Sequence, residues 1–152
     1  MSPPERLPAH LQRGVVAGLA GTAVMTAFQH LVEMPLTKRD ESYAPADLAM
    51  RLLPLQPKGA VGRRRLNYAM HFALGVGWGV ARGVAAHRGL RGQRATLMVF
   101  GAMYPADAVG ATALGVYRPS QWSALDVAID IVDKLVLAEA TGMAYDALES
   151  RP

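Results

Sequence analysis

The chain contains no cysteine and has few charged residues. Without cysteine it can form no disulfide, no thiolate metal site and no cysteine nucleophile, although this absence says nothing about its redox compartment. Asp, Glu, Lys and Arg make up 18% of the 152 residues, whereas about 25% is usual. Apolar residues make up 51%. This balance favours a membrane protein if the apolar residues are grouped into long runs.

Sequence signatures of catalysis are also missing. The glycines between Gly75 and Gly83 lie within an apolar stretch rather than after a strand, so they do not form a phosphate-binding loop. There is neither a Gly-x-Ser-x-Gly motif nor a His-Glu-x-x-His motif. We therefore expect no catalytic residues, and we expect neither a metal nor a cofactor.

The membrane prediction rests on how apolar residues are grouped, because the mean hydropathy is only +0.15. A helix of about 20 residues crosses roughly 30 Å of hydrocarbon. Four apolar segments reach that length, at residues 14–33, 66–86, 95–116 and 122–148. The sequence thus predicts an all-α fold, in which residues 1–152 form a single integral membrane domain built as a four-transmembrane-helix bundle.

The remaining segments predict a tail and a partly helical loop. Residues 1–13 are polar and Pro-rich, which is typical of a loose tail. The apolar run continues to Val32, beyond the core of a secretory signal, so we expect a retained first span. We expect Pro35 to end that span and Pro105 to kink the third. Within the long first loop, residues 46–53 predict a short amphipathic helix, either on the membrane surface or as an ordinary loop helix.

The fourth segment is unusually charged for a membrane span. Its charged residues are Asp126, Asp130, Asp133, Lys134 and Glu139. Central charges cost about 2.5–3.5 kcal/mol each on insertion, so this segment needs partners within the bundle. A soluble four-helix bundle is the alternative. The glycines of the second segment argue against it, because each would cost about 0.5–1 kcal/mol relative to Ala in a water-exposed helix.

Polar residues fall on one face of each predicted helix, and such faces turn inward in membrane bundles. Because the chain alternates in direction, many of these residues are expected to converge in one half of the bundle. The candidate intramembrane polar cluster comprises His30, Glu33, His71, Asp107, Asp126, Asp130, Asp133 and Lys134.

Small residues repeat at four-residue spacing, which lets membrane helices approach closely. These candidate packing residues are Gly14, Gly18, Gly75, Gly79 and Gly83. A role in helix packing alone would account for them.

Three interpretations of the polar cluster remain open. A structural network would satisfy the buried groups and fix helix register, with Lys134 bonded to Asp130 one turn earlier. A proton or ion path is the second, since intramembrane carboxylates and histidines often form relays. A metal or haem site using His30 and His71 is the third, although the Glu-x-x-His pairs of di-iron bundles are absent.

The charge pattern indicates lipid rather than nucleic acid as the partner. The net charge is +4, and the basic residues lie between apolar segments, where they meet anionic headgroups. A second copy or another membrane protein is a further candidate partner. The arginines of the short second loop favour cytoplasmic termini, whereas those at residues 63–65 argue for the reverse.

Four stretches of the sequence form a recognisable layout: Gly14-Val-Val-Ala-Gly-Leu-Ala-Gly, Glu33-Met-Pro-Leu, His71-Phe-Ala-Leu-Gly and Gln121-Trp122. Together they resemble the YagU-like family of small bacterial inner-membrane proteins. The resemblance implies a multi-pass protein of the bacterial inner membrane, with Glu33 and His71 as candidate functional residues. It also implies a structural or interaction role in the envelope, linked to acid or pH stress. Proton or ion conduction is the alternative function, and metal or haem binding the second alternative.

Overall fold

The computed structural model describes residues 6–150, which form five helices and no strand. The helices are α1 (Leu7–Thr37), α2 (Ala44–Leu52), α3 (Gly59–His87), α4 (Gly92–Ala113) and α5 (Ala124–Glu149). A short 3₁₀ turn, Pro119–Gln121, precedes α5. The all-α prediction is confirmed for this part of the chain. The four long helices lie over the four predicted apolar segments.

Helix α1 is longer than predicted at both ends. It begins at Leu7, with Pro8 in its first turn, where the missing N–H of proline is tolerated. The prediction of a loose tail is therefore wrong for residues 7–13, while residues 1–5 lie outside the described part. Pro35 does not end the helix either. A π turn at Gln29–Glu33, closed by the Met34 N–H and the Gln29 carbonyl, widens the backbone just before the proline.

The other helices differ from prediction mainly at their ends. Helix α3 begins at Gly59 and so includes the arginines at residues 63–65. Helix α4 continues through Pro105 and ends at Ala113. Helix α5 begins with a capping box, in which Ser123 and Asp126 bond each other's backbone N–H. The short loop helix predicted at residues 46–53 is present as α2.

Helix α1 packs closely against α3 along a line of glycines. A methyl group built on Gly14 would overlap the carbonyl of Gly79, and one on Gly18 would overlap that of Gly75. Gly83 lies in the same way against the backbone carbonyl of His10. The structure thus places all five candidate packing glycines at the contact between α1 and α3.

The core lies between the four long helices. Met25, Trp78, Val99 and Leu137 form its main cluster, one from each of α1, α3, α4 and α5. Within residues 6–150, α1 is the one helix that is long and apolar enough, by length and composition, to cross a membrane. Core helices of soluble proteins and signal sequences share that property.

Candidate binding cavity

A cavity of about 290 Å³ lies at one end of the bundle, where α1 ends and α3 and α5 begin. The connection between α1 and α2 forms part of its wall. Seven of the eight predicted cluster residues line this cavity: His30, Glu33, His71, Asp126, Asp130, Asp133 and Lys134. The structure thus brings together residues from three helices that are far apart in the sequence.

Asp107, the eighth predicted residue, lies in an adjoining cavity of about 240 Å³. There it accepts a hydrogen bond of 2.8 Å from Nε1 of Trp78. His71 and Lys134 line both cavities. Asp107 is therefore next to the cluster, with its own donor on α3.

Two half-buried carboxylates on α5 each have one oxygen with a hydrogen-bond partner and one without. Oδ2 of Asp133 accepts a hydrogen bond of 2.7 Å from the Gln29 amide, and Oδ1 of Asp130 accepts one of 3.3 Å from the Tyr117 hydroxyl. The remaining oxygens, Oδ1 of Asp133 and Oδ2 of Asp130, are buried and accept no hydrogen bond in the described part of the chain. Buried polar atoms usually have a partner. These two oxygens therefore have capacity for a donor.

Lys134 does not supply that donor. Among the described residues, no carboxylate oxygen lies within ion-pair distance of its ammonium group. The predicted bond between Lys134 and Asp130 is therefore wrong. Helical spacing placed the two residues one turn apart, but the Lys134 side chain extends along the walls of both cavities.

The two cavity histidines each have a separate partner. Nε2 of His71 lies 3.1 Å from the hydroxyl of Thr26, and that hydroxyl donates to the Thr22 carbonyl. Nε2 of His30 lies 2.9 Å from the hydroxyl of Tyr68 near the surface. Within residues 6–150, no three His, Asp or Glu side chains converge closely enough to hold a metal ion.

The connection between α1 and α2 covers the cavity and was not foreseen as part of the site. Arg39 pairs with Asp126 at 3.2 Å. The side chain of Asn67 holds the connection in place, because it accepts from the Ala46 N–H and donates to the Ser42 carbonyl. The position of Asn67 on the polar face of the second apolar segment was the available sequence signal.

The cavity is strongly acidic although the chain as a whole is basic. It is lined by half of the 12 acidic residues in the sequence: Glu33, Asp40, Glu41, Asp126, Asp130 and Asp133. Only two Arg or Lys side chains, Arg39 and Lys134, line it in the described structure. With neutral histidines, six carboxylates and two cations leave an excess of four negative charges, whereas the net charge of the chain is +4.

Tyr117 adds a protonated donor to the cavity wall. Burial raises the pKa of its hydroxyl above the ordinary value, and the neighbouring Asp130 carboxylate raises it further. The hydroxyl therefore stays neutral and donates to Asp130. Its ring lies 4.9 Å from that of Trp122, which also lines the cavity.

The opposite end of the bundle holds a second polar network. The buried guanidinium of Arg82 pairs with Asp146 and lies 4.4 Å above the Tyr145 ring. The Tyr145 hydroxyl is 2.6 Å from Nδ1 of His10. The Tyr145 side chain is itself fully buried.

Comparison with family models, with curated proteins and with solved structures found no match to this chain. The resemblance to the YagU-like family therefore stays a prediction.

Proposed function

We propose that this chain is an integral membrane protein whose four long helices cross the bilayer of a bacterial inner membrane. The observation that carries this proposal is the arrangement of α5. Asp130, Asp133 and Lys134 line the internal cavity, whereas the neighbouring Ile131 and Val132 are exposed. A soluble amphipathic helix has the opposite arrangement. Charges facing inward and apolar residues facing outward are typical of a membrane helix.

Other helices present similar outward surfaces. Exposed large apolar residues include Val16, Leu19 and Val24 on α1, and Leu97, Met98 and Val109 on α4. Large apolar patches are rare on soluble monomers. Helix α4 has 22 residues and α5 has 26, so each exceeds roughly 30 Å at 1.5 Å per residue. The lengths of these helices and the apolar side chains that they expose together support four membrane spans.

Within the membrane, we propose a structural or interaction role in the cell envelope. The glycine contacts between α1 and α3 and the Arg82–Asp146 pair support a fixed arrangement of helices rather than a sliding one. Close backbone packing also leaves little space for a continuous polar path along the contact between α1 and α3. These features favour a stable scaffold over a transporter that alternates between two states.

Proton or ion conduction is the second candidate function. The unpartnered oxygens of Asp130 and Asp133, close to His71 and Lys134, favour it. Proton flux into sealed liposomes would separate the two functions. A conductor would lose its flux in Asp130→Asn. It would keep its flux in the control Glu139→Gln, because Glu139 is on the same helix but does not line the cavity. A scaffold would give no flux in the native protein or in either variant.

The membrane arrangement can be tested by cysteine labelling, because the native chain has no cysteine. Single cysteines at Ile131 and Val109 should react with a maleimide only after detergent is added. Cysteines at Gln56 and Ser120 should react from one side of the membrane, and one at Arg88 from the other. If both termini are in the cytoplasm, the cysteine at Arg88 should react from the cytoplasmic side. Rapid labelling of Ile131 in intact membranes, or release of the protein by alkaline carbonate, would contradict four spans.

A further inference from the structure

We propose that the cavity beside Asp107 binds a small uncharged aromatic alcohol of the phenol class. This Asp107 cavity has a volume of about 240 Å³ and is lined by residues of all five helices. Most of these residues are apolar, unlike those of the acidic cavity. The inference goes beyond the proposed function, because the cavity lies within the helix bundle whether or not the bundle crosses a membrane.

The apolar wall of the Asp107 cavity comes from several sides of the bundle. Leu48 of α2, Trp78 of α3 and Leu137 of α5 contribute to it. Gly110 of α4 also lines the cavity, and a Cβ built on it meets no atom within 4 Å. An apolar cavity of about 150 Å³ can already hold benzene. The larger volume here therefore suits a molecule of about one or two rings.

Two opposite charges line the Asp107 cavity without pairing with each other. Asp107 on α4 and Lys134 on α5 are beyond ion-pair distance. Oδ2 of Asp107 accepts from Trp78, whereas Oδ1 and the Lys134 ammonium group have no partner in the described structure. Neither atom belongs to the buried atoms that lack a partner, so both keep accessible surface. A hydroxyl group can bridge them, because it accepts from an ammonium and donates to a carboxylate.

His71 adds a second acceptor to the polar part of the wall. Its Nε2 lies 3.1 Å from the Thr26 hydroxyl, whose single proton is donated to the Thr22 carbonyl. Nε2 therefore carries the ring proton, and Nδ1 of the neutral ring is an acceptor. Within residues 6–150, Nδ1 has no partner, and it too keeps accessible surface. One donor and two acceptors thus stand at the edge of an apolar cavity.

The charge balance selects an uncharged ligand. Asp107 and Lys134 cancel, and no other Asp, Glu, Lys or Arg of the described residues lines the Asp107 cavity. A cation would lie beside Lys134, and an anion would lie beside Asp107 and next to the acidic cavity. A hydrocarbon such as a lipid acyl chain would displace water from both charged groups without replacing its hydrogen bonds, which is unfavourable.

The side chains of the wall favour an aromatic ring over an aliphatic body. Trp78 and Tyr117 line the Asp107 cavity together with His71, and Met25 lines it from α1. Contacts between aromatic rings, and between a methionine sulfur and a ring, are favourable beyond the burial of their surface. An aromatic ring with one hydroxyl therefore matches both the apolar wall and its polar edge.

Heavy-atom quenching of Trp78 fluorescence by 4-bromophenol tests this proposal. The chain has two tryptophans, so Trp122→Phe leaves Trp78 alone to report. Trp122 lines the acidic cavity and not the Asp107 cavity. The full-length protein is titrated in lipid nanodiscs, where partition of the phenol into lipid gives a linear loss of fluorescence. We expect a saturable loss in addition, from binding beside Trp78.

A pair of variants on α4 locates the site. Gly110→Leu places a side chain in the Asp107 cavity and should weaken the saturable binding about tenfold or more. Gly101→Leu is the matched control, because a Cβ there also meets no atom within 4 Å and Gly101 does not line the cavity. This control should leave the affinity within about twofold.

Three brominated ligands test the hydroxyl and the charge. Bromobenzene lacks the hydroxyl and should bind about tenfold more weakly than 4-bromophenol, the effect of losing a hydrogen bond to a charged group. Lys134→Met should weaken 4-bromophenol by a similar factor and should not weaken bromobenzene. 4-Bromobenzoate carries a negative charge, and it should also bind about tenfold more weakly than the phenol.

Four results would overturn the proposal. They are no saturable quenching, equal affinity in Gly110→Leu, bromobenzene binding as tightly as 4-bromophenol, and 4-bromobenzoate binding more tightly than either. The third result would indicate a purely apolar site for lipid chains, and the fourth an anion site at Lys134. If Gly110→Leu does not fold, the comparison in Lys134→Met decides, because the preference for the hydroxyl must disappear there.

Discussion

Gly14 and Gly79 face each other across the contact between α1 and α3, with no room for a methyl group on either residue. A Cβ on Gly14 would overlap the Gly79 carbonyl oxygen, and a Cβ on Gly79 would overlap the Gly14 carbonyl oxygen. The obstructing atoms belong to the backbone, so they cannot move aside as a flexible side chain would. Small residues at such positions are what allow two helices to approach this closely.

Replacing Gly79 by Ala is therefore expected to destabilise the bundle by about 1–3 kcal/mol, the usual effect of overpacking. Gly77→Ala is the matched control, because a Cβ at that position meets no atom within 4 Å. Thermal unfolding in detergent should show a lower midpoint for Gly79→Ala and little change for Gly77→Ala. Equal midpoints for the two variants would mean that the close contact contributes nothing to stability.

Asn67 is expected to control access to the cavity through the connection between α1 and α2. Asn67→Ala removes the acceptor for Ala46 and the donor for Ser42. Because Asn67 is buried, the loss should cost about 1–3 kcal/mol and release the connection. Limited trypsin digestion should then cleave faster at Lys38 or Arg39. Gln56→Ala, at an exposed position, is the control. An unchanged cleavage rate in Asn67→Ala would show that other contacts hold the connection.

The four long helices and the position of most of the polar cluster could be predicted from sequence because both depend on periodicity. Long apolar runs set the helices, and alternating chain direction brings His71 and Asp130 to one end of the bundle. The glycine contacts followed from the same reasoning, since Gly75 and Gly79 repeat on one helix face. Helical periodicity and chain direction therefore account for most of the cavity's composition.

Features that depend on contacts between distant segments could not be predicted in this way. Asp40 and Glu41 line the cavity because Asn67 holds their loop across the bundle, and no local pattern specifies that fold. Tyr145 is buried against His10, a contact between residues 135 positions apart in the sequence. Both outcomes needed three-dimensional contacts. The π turn before Pro35 is instead a local feature of the backbone, and hydropathy periodicity does not specify it.

Breaking the pair between Arg82 and Asp146 should destabilise the end of the bundle away from the cavity. Arg82 is 1% exposed and Asp146 43% exposed. Removing one partner of a fully buried pair costs about 3–5 kcal/mol. We expect about 1–3 kcal/mol for Asp146→Ala, because the carboxylate is partly solvated. Thermal unfolding in detergent measures this difference.

A double variant distinguishes the unpaired charge from a loss of packing. Adding Arg82→Met to Asp146→Ala removes the buried charge and keeps an apolar side chain against Tyr145. The double variant should therefore recover part of the stability that Asp146→Ala loses. If the double variant unfolds at a lower temperature than Asp146→Ala, contacts of the Arg82 guanidinium other than the ion pair contribute most of its stabilising effect. Its buried Nε and Nη1, which have no partner in the described structure, make recovery the expected result.

Tyr117→Phe should make the protein less sensitive to alkaline pH. Burial, and then the Asp130 carboxylate, raise the pKa of the Tyr117 hydroxyl above its ordinary value near 10. Below that pH the hydroxyl is neutral in both states. As pH rises past about 10, it ionises in the unfolded chain but not in the folded one, so the free energy of unfolding falls.

The comparison needs denaturation in detergent at about pH 8 and at about pH 11, on either side of the ordinary pKa. At the lower pH, Tyr117→Phe should be less stable by about 0.5–1.5 kcal/mol, because it lacks the hydrogen bond to Asp130. Between the two pH values it should lose less stability than the native protein, since phenylalanine has no proton to release. If both proteins lose the same free energy of unfolding between the two pH values, Tyr117 ionises as readily in the folded state as in the unfolded one. The burial of its hydroxyl beside the Asp130 carboxylate argues against that result.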